Sequence, residues 1–158
     1  MRRRDRQITD PAAITDLLSR CKVCRIAVTD RQGPYIVPLN FGYQLSESGA
    51  LTLYFHSAQT GRKLSALQAC TGPVAFEMDC SHRLTAGPTA CQYGYDYQSL
   101  LGTGQVRILK DPTEKAAALS LLMRAQTGRD FSFSESETRS VAVFSLTSTD
   151  YTAKQRGY

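Results

Sequence analysis

Short runs of strand-forming residues, each closed off by turn chemistry, constrain this chain more than any other feature. Val23 with Arg25-Ile26-Ala27-Val28 is followed by the turn segment Asp30-Arg31-Gln32-Gly33-Pro34, and a second run, Tyr35 to Tyr43, resumes the extended pattern. That arrangement reads as a hairpin. After Ser46-Glu47-Ser48-Gly49 comes the run Ala50 to His56, then Val74 to Asp79, Ser99 to Leu109 and Val141 to Leu146. Gly102 and Gly104 fall inside the fifth run, where glycine marks a bulge or a close backbone approach. Six strands in one small domain predict a mostly β (α+β) fold: a six-stranded antiparallel barrel, closed or partly open, with peripheral helices.

Three helices fit between the strands. Asp10 and Pro11 open the first, whose apolar stripe Ile14, Leu17, Leu18 ends near Cys21. Gly61-Arg62-Lys63-Leu64 opens a second, short one that stops before Gly72-Pro73. Asp111-Pro112 start a third over Thr113 to Ala125. The segments Ser81 to Gly94 and beyond Leu146 read as a polar loop and a polar tail. With 158 residues and no internal repeat, one domain over 1–158 is the expectation.

The formal charge of +5 favours an anionic partner. The cations are dispersed, apart from Arg2-Arg3-Arg4, Arg62-Lys63 and Lys154-Gln155-Arg156. With no helix-turn-helix pattern, this argues against nucleic acid. No apolar run reaches the roughly 20 residues of a membrane helix, and no hydrophobic stretch follows the N-terminal arginines. The expectation is a cytoplasmic protein that binds neither nucleic acid nor membrane. The five cysteines are spaced irregularly. Cys21-Lys22-Val23-Cys24 has C-x-x-C spacing, but it closes a helix and opens a strand, the reverse of a thioredoxin-type motif, and no second pair exists to build a zinc ribbon. Two small buried thiols are the expectation, with no metal site.

Three segments could carry chemistry. Tyr54-Phe55-His56-Ser57 ends a strand just before Gly61-Arg62-Lys63 at a helix start. Unpaired helix N–H groups, two cations, a hydroxyl and an imidazole are the ingredients of a monophosphate site. The same residues also fit a solvated basic helix start with a half-buried histidine. Val37-Pro38-Leu39-Asn40-Phe41 contains a proline that removes a ladder donor. It reads either as a sheet opening that faces a flat ligand or as a protected edge. Tyr93-Gly94-Tyr95-Asp96-Tyr97 could flank a planar ligand, build a subunit interface or pack over the core.

Taken in order, these segments resemble the nitroimidazole-resistance branch of the pyridoxamine 5′-phosphate oxidase-like flavoproteins. The resemblance is carried by Arg3 to Asp10, Cys21 to Arg25, Pro34 to Tyr43, and Leu53 to Ala58 with Gly61-Arg62-Lys63. Phe76-Glu77-Met78-Asp79, Tyr97-Gln98-Ser99 and Gly102-Thr103-Gly104 follow in family order. It implies a homodimeric split barrel with FMN in a cleft between subunits. Val37, Pro38, Leu39 and Asn40 would lie along the isoalloxazine and offer main-chain hydrogen bonds. Phe55, His56 and Ser57 would lie beside the ribityl chain, Arg62 and Lys63 would grip the phosphate, and Ser99 matches a flavin-contacting position. His56 is also the candidate for proton delivery to a small-molecule substrate, since imidazole titrates near neutrality. The chain departs from the family pattern in having no tryptophan and in carrying Gln98 where an arginine commonly precedes the serine. The implied activity is FMN-dependent reduction of a small, nitroaromatic-type acceptor. The alternative is a non-catalytic flavin- or haem-binding or redox-sensing protein.

Overall fold

The computed structural model describes residues 3–157, so Met1, Arg2 and Tyr158 lie outside the described residues. The first helix forms where its cap signals place it. Asp10 accepts hydrogen bonds from the N–H groups of Ala12 and Ala13, with Pro11 in the first position, and α1 runs Pro11–Arg20 with Ile14, Leu17 and Leu18 buried. The long helix starts the same way. The carboxylate of Asp111 accepts from the N–H of Glu114 at 2.9 Å, ahead of Pro112.

Strands β1 (Gln7–Ile8), β2 (Cys24–Asp30), β3 (Gly33–Leu39), β4 (Gly42–Leu45) and β5 (Leu51–Ser57) precede helix α2 (Arg62–Ala69). Then come β6 (Val74–Thr85), β7 (Gly94–Leu109), α3 (Pro112–Thr127), the short α4 (Glu135–Arg139) and β8 (Ala142–Arg156). All pairings are antiparallel, in the order β3-β2-β6-β7-β8-β5-β4, with β1 beside the far half of β8. The two outermost strands, β3 and β4, are separated in the chain by only Asn40 and Phe41. A sheet whose opposite edges are tied by two residues must curl round on itself. Among the described residues no ladder joins β3 to β4, so the barrel stays split along that seam.

Alternation along each strand puts one face into the barrel. Leu51, Leu53 and Phe55 of β5 point inward, and the β5–β8 register sets Phe55 opposite Phe144. Their rings stack with centroids 5.0 Å apart, both fully buried. Ile26, Met78, Leu100 and Leu146 complete the centre, and α1 and α2 close over it with Leu17, Leu18 and Leu67. Helix α3 packs on β4 and β5 so closely that a Cβ on Gly42 would stand 2.4 Å from the backbone nitrogen of Leu122. No side chain fits there, which is why glycine follows Phe41.

The fold class expected from the sequence holds, with eight strands instead of six. The run Tyr35 to Tyr43 is cut at Asn40-Phe41 into β3 and β4, and Gln7–Ile8 adds a short strand. The supposed loop Ser81 to Gly94 is largely strand: β6 continues to Thr85 past a bulge between Cys80 and Arg83, with Ser81 at φ +59°, and β7 begins at Gly94. Arg83 pairs with Asp96 across this arm at 2.8 Å. The arm has little core behind it, so His82, Arg83 and Leu84 are exposed and the apolar alternation that signals a strand is missing. The polar tail extends β8 to Arg156, hydrogen-bonded on one side to β7 and on the other to β1. The glycine signal in β7 is accurate, since the register with β8 shifts between Thr103 and Gln105.

Cys21 caps α1 and Cys24 opens β2, both buried. Burial pushes both thiols up, Cys24 to about 12, so neither is a thiolate at neutral pH. A thiol-specific dye should therefore label exposed Cys91 in the native protein and reach Cys21 and Cys24 only after unfolding. Rapid labelling of either in the native state would contradict this burial.

Candidate functional site

The split seam and the start of α2 meet at a cleft of about 430 Å³. The end of β3 supplies Pro38, Leu39 and Asn40. The end of β5 supplies His56, Ser57 and Ala58, while Lys63 and Val141 complete the lining.

The cleft's cationic side is built by local chain geometry. Gly61 precedes α2 with φ +119°, a conformation L side chains rarely adopt, and no side chain caps the helix. The helical ladder begins with the Ser65 N–H on the Gly61 carbonyl at 3.1 Å, leaving first-turn N–H groups without helical acceptors. Lys63 sits in this turn, and among the described residues it has no ion pair and no hydrogen bond. Partial burial lowers its pKa, since nothing nearby compensates for the loss of solvent.

The opposite side is an open sheet edge. Pro34 and Pro38 stand opposite Thr29 and Arg25 in the β2–β3 ladder. A proline cannot give the paired N–H bonds of a hydrogen-bonded pair, so the main chain at these positions points away from β2. The alternation gives Ile36 the same orientation. The edge therefore offers the Pro34, Ile36 and Pro38 carbonyls, and few N–H groups compete with them.

The expected residues separate into those at the cleft and those held elsewhere. Pro38, Leu39, Asn40, His56, Ser57 and Lys63 come together. The side chains of Val37 and Phe55 both turn into the core, their positions pair with Ile26 of β2 and Phe144 of β8, and neither lines the cleft. The amide of Asn40 donates to the Lys22 carbonyl at 2.9 Å and to Gln126 Oε1 at 3.3 Å, which pins the β3–β4 joint to α3. Arg62 faces away: its guanidinium forks onto Asp30 at 2.6 and 3.0 Å and lies 4.2 Å above the Tyr35 ring. Ser99 is buried on β7 between Asp79 and Lys154 and does not line this cleft.

Sequence reasoning missed Asp30 and Val141. Asp30 read only as turn chemistry, although that turn folds over the start of α2. Val141 carries no signal of its own; it is set in place by Lys115 Nζ, which donates to its carbonyl at 2.7 Å. Among the described residues no group of three or more His, Cys, Asp or Glu is arranged to hold a metal, and no helix is long and apolar enough to cross a membrane.

An antiparallel barrel split at one seam, with a cleft opening there, defines a recognisable fold class. The chain belongs to the pyridoxamine 5′-phosphate oxidase family, whose model matches residues 10–155. No curated protein matches significantly. Among solved structures, a candidate 5-nitroimidazole antibiotic resistance protein from Bacteroides thetaiotaomicron is 32% identical. The match covers 94% of this chain and 86% of that one, with a TM-score of 0.78. A flavocytochrome from Azotobacter vinelandii shares the fold at 17% identity and TM-score 0.80, over 100% of this chain and 72% of that one. A FAD- and heme-binding protein from Mycobacterium smegmatis does so at 17% identity and TM-score 0.75, over 97% and 74%.

Proposed function

We propose that this chain binds FMN in the cleft and works as a flavin-dependent oxidoreductase on a small acceptor, a nitroaromatic being the leading class. The observation that carries the reading is Lys63: a lysine without a partner among the described residues, beside an uncapped helix start, facing a proline-marked sheet edge. An unpaired, partly buried cation beside free N–H groups is suited to a phosphate monoester. Membership of the family and the 32% identity to the Bacteroides protein support the same assignment.

In this reading Lys63 and the first turn of α2 hold the phosphate, and Ser57 donates from its hydroxyl. The Pro38 carbonyl and the neighbouring edge accept from the flavin ring. FMN supplies two-electron transfer when bound. Exposed His56, on the wall of the cleft, holds a proton on its imidazole for delivery to the acceptor. Arg62 serves the site indirectly by tying the β2–β3 turn to the start of α2. Ser99 lies outside the cleft and is buried in its own chain, so it takes no flavin contact in this reading, which expects a homodimer closed over the cofactor. The arm bearing exposed Leu84, Tyr93 and Tyr95 gives such a dimer apolar surface.

Purified protein should be yellow, release FMN identifiable by mass spectrometry, and bleach with a nicotinamide donor. A colourless protein that takes up no added FMN would refute the assignment. His56→Ala should lower turnover more than flavin retention; the reverse result would make it a binding residue only.

A further inference from the structure

A second pocket, of about 250 Å³, opens beside the cleft and shares His56 and Val141 with it. Its body is apolar: Leu119, Leu122 and Met123 of α3, with Phe133 from the connection to α4. Its rim carries His56, Glu137 and Ser140. The walls are held by hydrogen bonds. Ser120 Oγ donates to the Phe131 carbonyl at 2.7 Å, Lys115 fixes Val141, and Gln59 Nε2 donates to the Arg139 carbonyl. A pocket fastened at several points is largely preformed.

Its electrostatics are the opposite of the neighbouring cleft. No lysine or arginine lines it. The Ser134 N–H and hydroxyl both donate to Glu137 Oε2, at 2.8 and 2.6 Å, while Oε1 has no hydrogen-bond partner among the described residues. The hydroxyl of Ser134, then its N–H, lower the Glu137 pKa, so the carboxylate is ionised at neutral pH. The Ser140 hydroxyl spends its proton on the Glu137 carbonyl at 2.7 Å and is left with accepting lone pairs. The rim is therefore acceptor-rich, and the ligand must bring the donors. Pockets for drug-sized ligands span about 300–1,000 Å³. This pocket is smaller and suits one ring.

We infer that this pocket binds a single-ring ligand with an apolar body and a cationic or N–H-bearing edge. The ring packs on Leu122 and Phe133, and the donor edge meets Glu137 Oε1. The shared wall at His56 and Val141 sets this ligand next to the cleft, and its role as the flavin's reaction partner rests on the function proposed above. One lobe thus selects an anion and the other a donor, with His56 between them.

Benzylamine and benzoate share a ring and differ in charge, so ligand-observed NMR titration of each into the purified protein, with and without added FMN, tests the inference. Benzylamine should bind several-fold more tightly, since the exposed Glu137 carboxylate, with Oε1 open, attracts a cation and repels a second anion. Glu137→Gln keeps the cap to Ser134 and should remove most of that preference. Ser140→Trp places bulk in the mouth from an exposed position and should abolish benzylamine binding while FMN binding persists. Equal or tighter binding of benzoate, unchanged benzylamine binding in Ser140→Trp, or no binding of benzylamine by the unmodified protein would each overturn the inference. A protein that takes up no FMN yet binds benzylamine with this preference would keep the pocket and overturn the flavin reading.

Discussion

Replacing Lys63 by alanine is expected to weaken FMN binding about tenfold to a hundredfold, whereas Arg62→Ala should leave it nearly unchanged. A charge-assisted contact to phosphate contributes about 1.5–3 kcal/mol, and each 1.4 kcal/mol is a factor of ten. Lys63 lines the cleft without a partner among the described residues, so its whole charge is free for the ligand. Arg62 already spends its guanidinium on Asp30. Titration of each variant with FMN, followed by flavin fluorescence, separates the two. Equal losses in both variants would mean that Arg62 leaves Asp30 to reach the phosphate. The pH dependence follows from the sign of the Lys63 shift. Only the protonated amine grips phosphate, and burial sets its pKa below the usual lysine value of 10.5. Affinity should be full below that pKa and fall as pH rises through it, and Lys63→Ala should lack this alkaline loss.

Phe55→Ala should be the most damaging single truncation near the site, at about 3–5 kcal/mol. The ring is fully buried and stacked on Phe144, so its removal leaves a cavity between β5 and β8 that neither strand can close without breaking their ladder. For a chain of this length that corresponds to a fall in melting temperature of roughly 6–20 °C. Thermal unfolding followed by circular dichroism measures it, and a loss under about 1 kcal/mol would show that the core re-packs there. His56 and Ser57 follow directly on this strand, so residual folded protein should also hold FMN less well. Phe55 thus acts on the cleft by holding up β5, not by touching a ligand with its ring.

The parts of the fold that sequence conveyed are those with local causes. Asp10-Pro11 and Asp111-Pro112 are cap signals read within a few residues, and both helices begin there. The strand run Ala50 to His56 is local too and is legible as a strand, although the inward turn of Phe55 and the outward turn of His56 come only with the structure. What escaped was set from a distance. Arg62 and Lys63 are neighbours of like charge, and nothing in Gly61-Arg62-Lys63 says which will be free. The decision falls to Asp30, 32 positions earlier, which captures one of them. The β6–β7 arm escaped because strand pairing without a core behind it leaves no apolar period. The pocket beside His56 escaped for a related reason: Leu119, Leu122 and Met123 fall within the helix expected over Thr113 to Ala125, and nothing local shows that Phe133 and α4 come round to line a pocket with them.

The contact between Gly42 and the backbone of Leu122 has a consequence for engineering. With main chain against main chain there is no cushion of side chain, so α3 has little room to slide along β4 and resize the pocket that its Leu119, Leu122 and Met123 line. Any redesign of ligand preference has to work by exchanging the side chains that line that space, with Met123 and Phe133 the accessible choices, while the helix stays as a fixed rail.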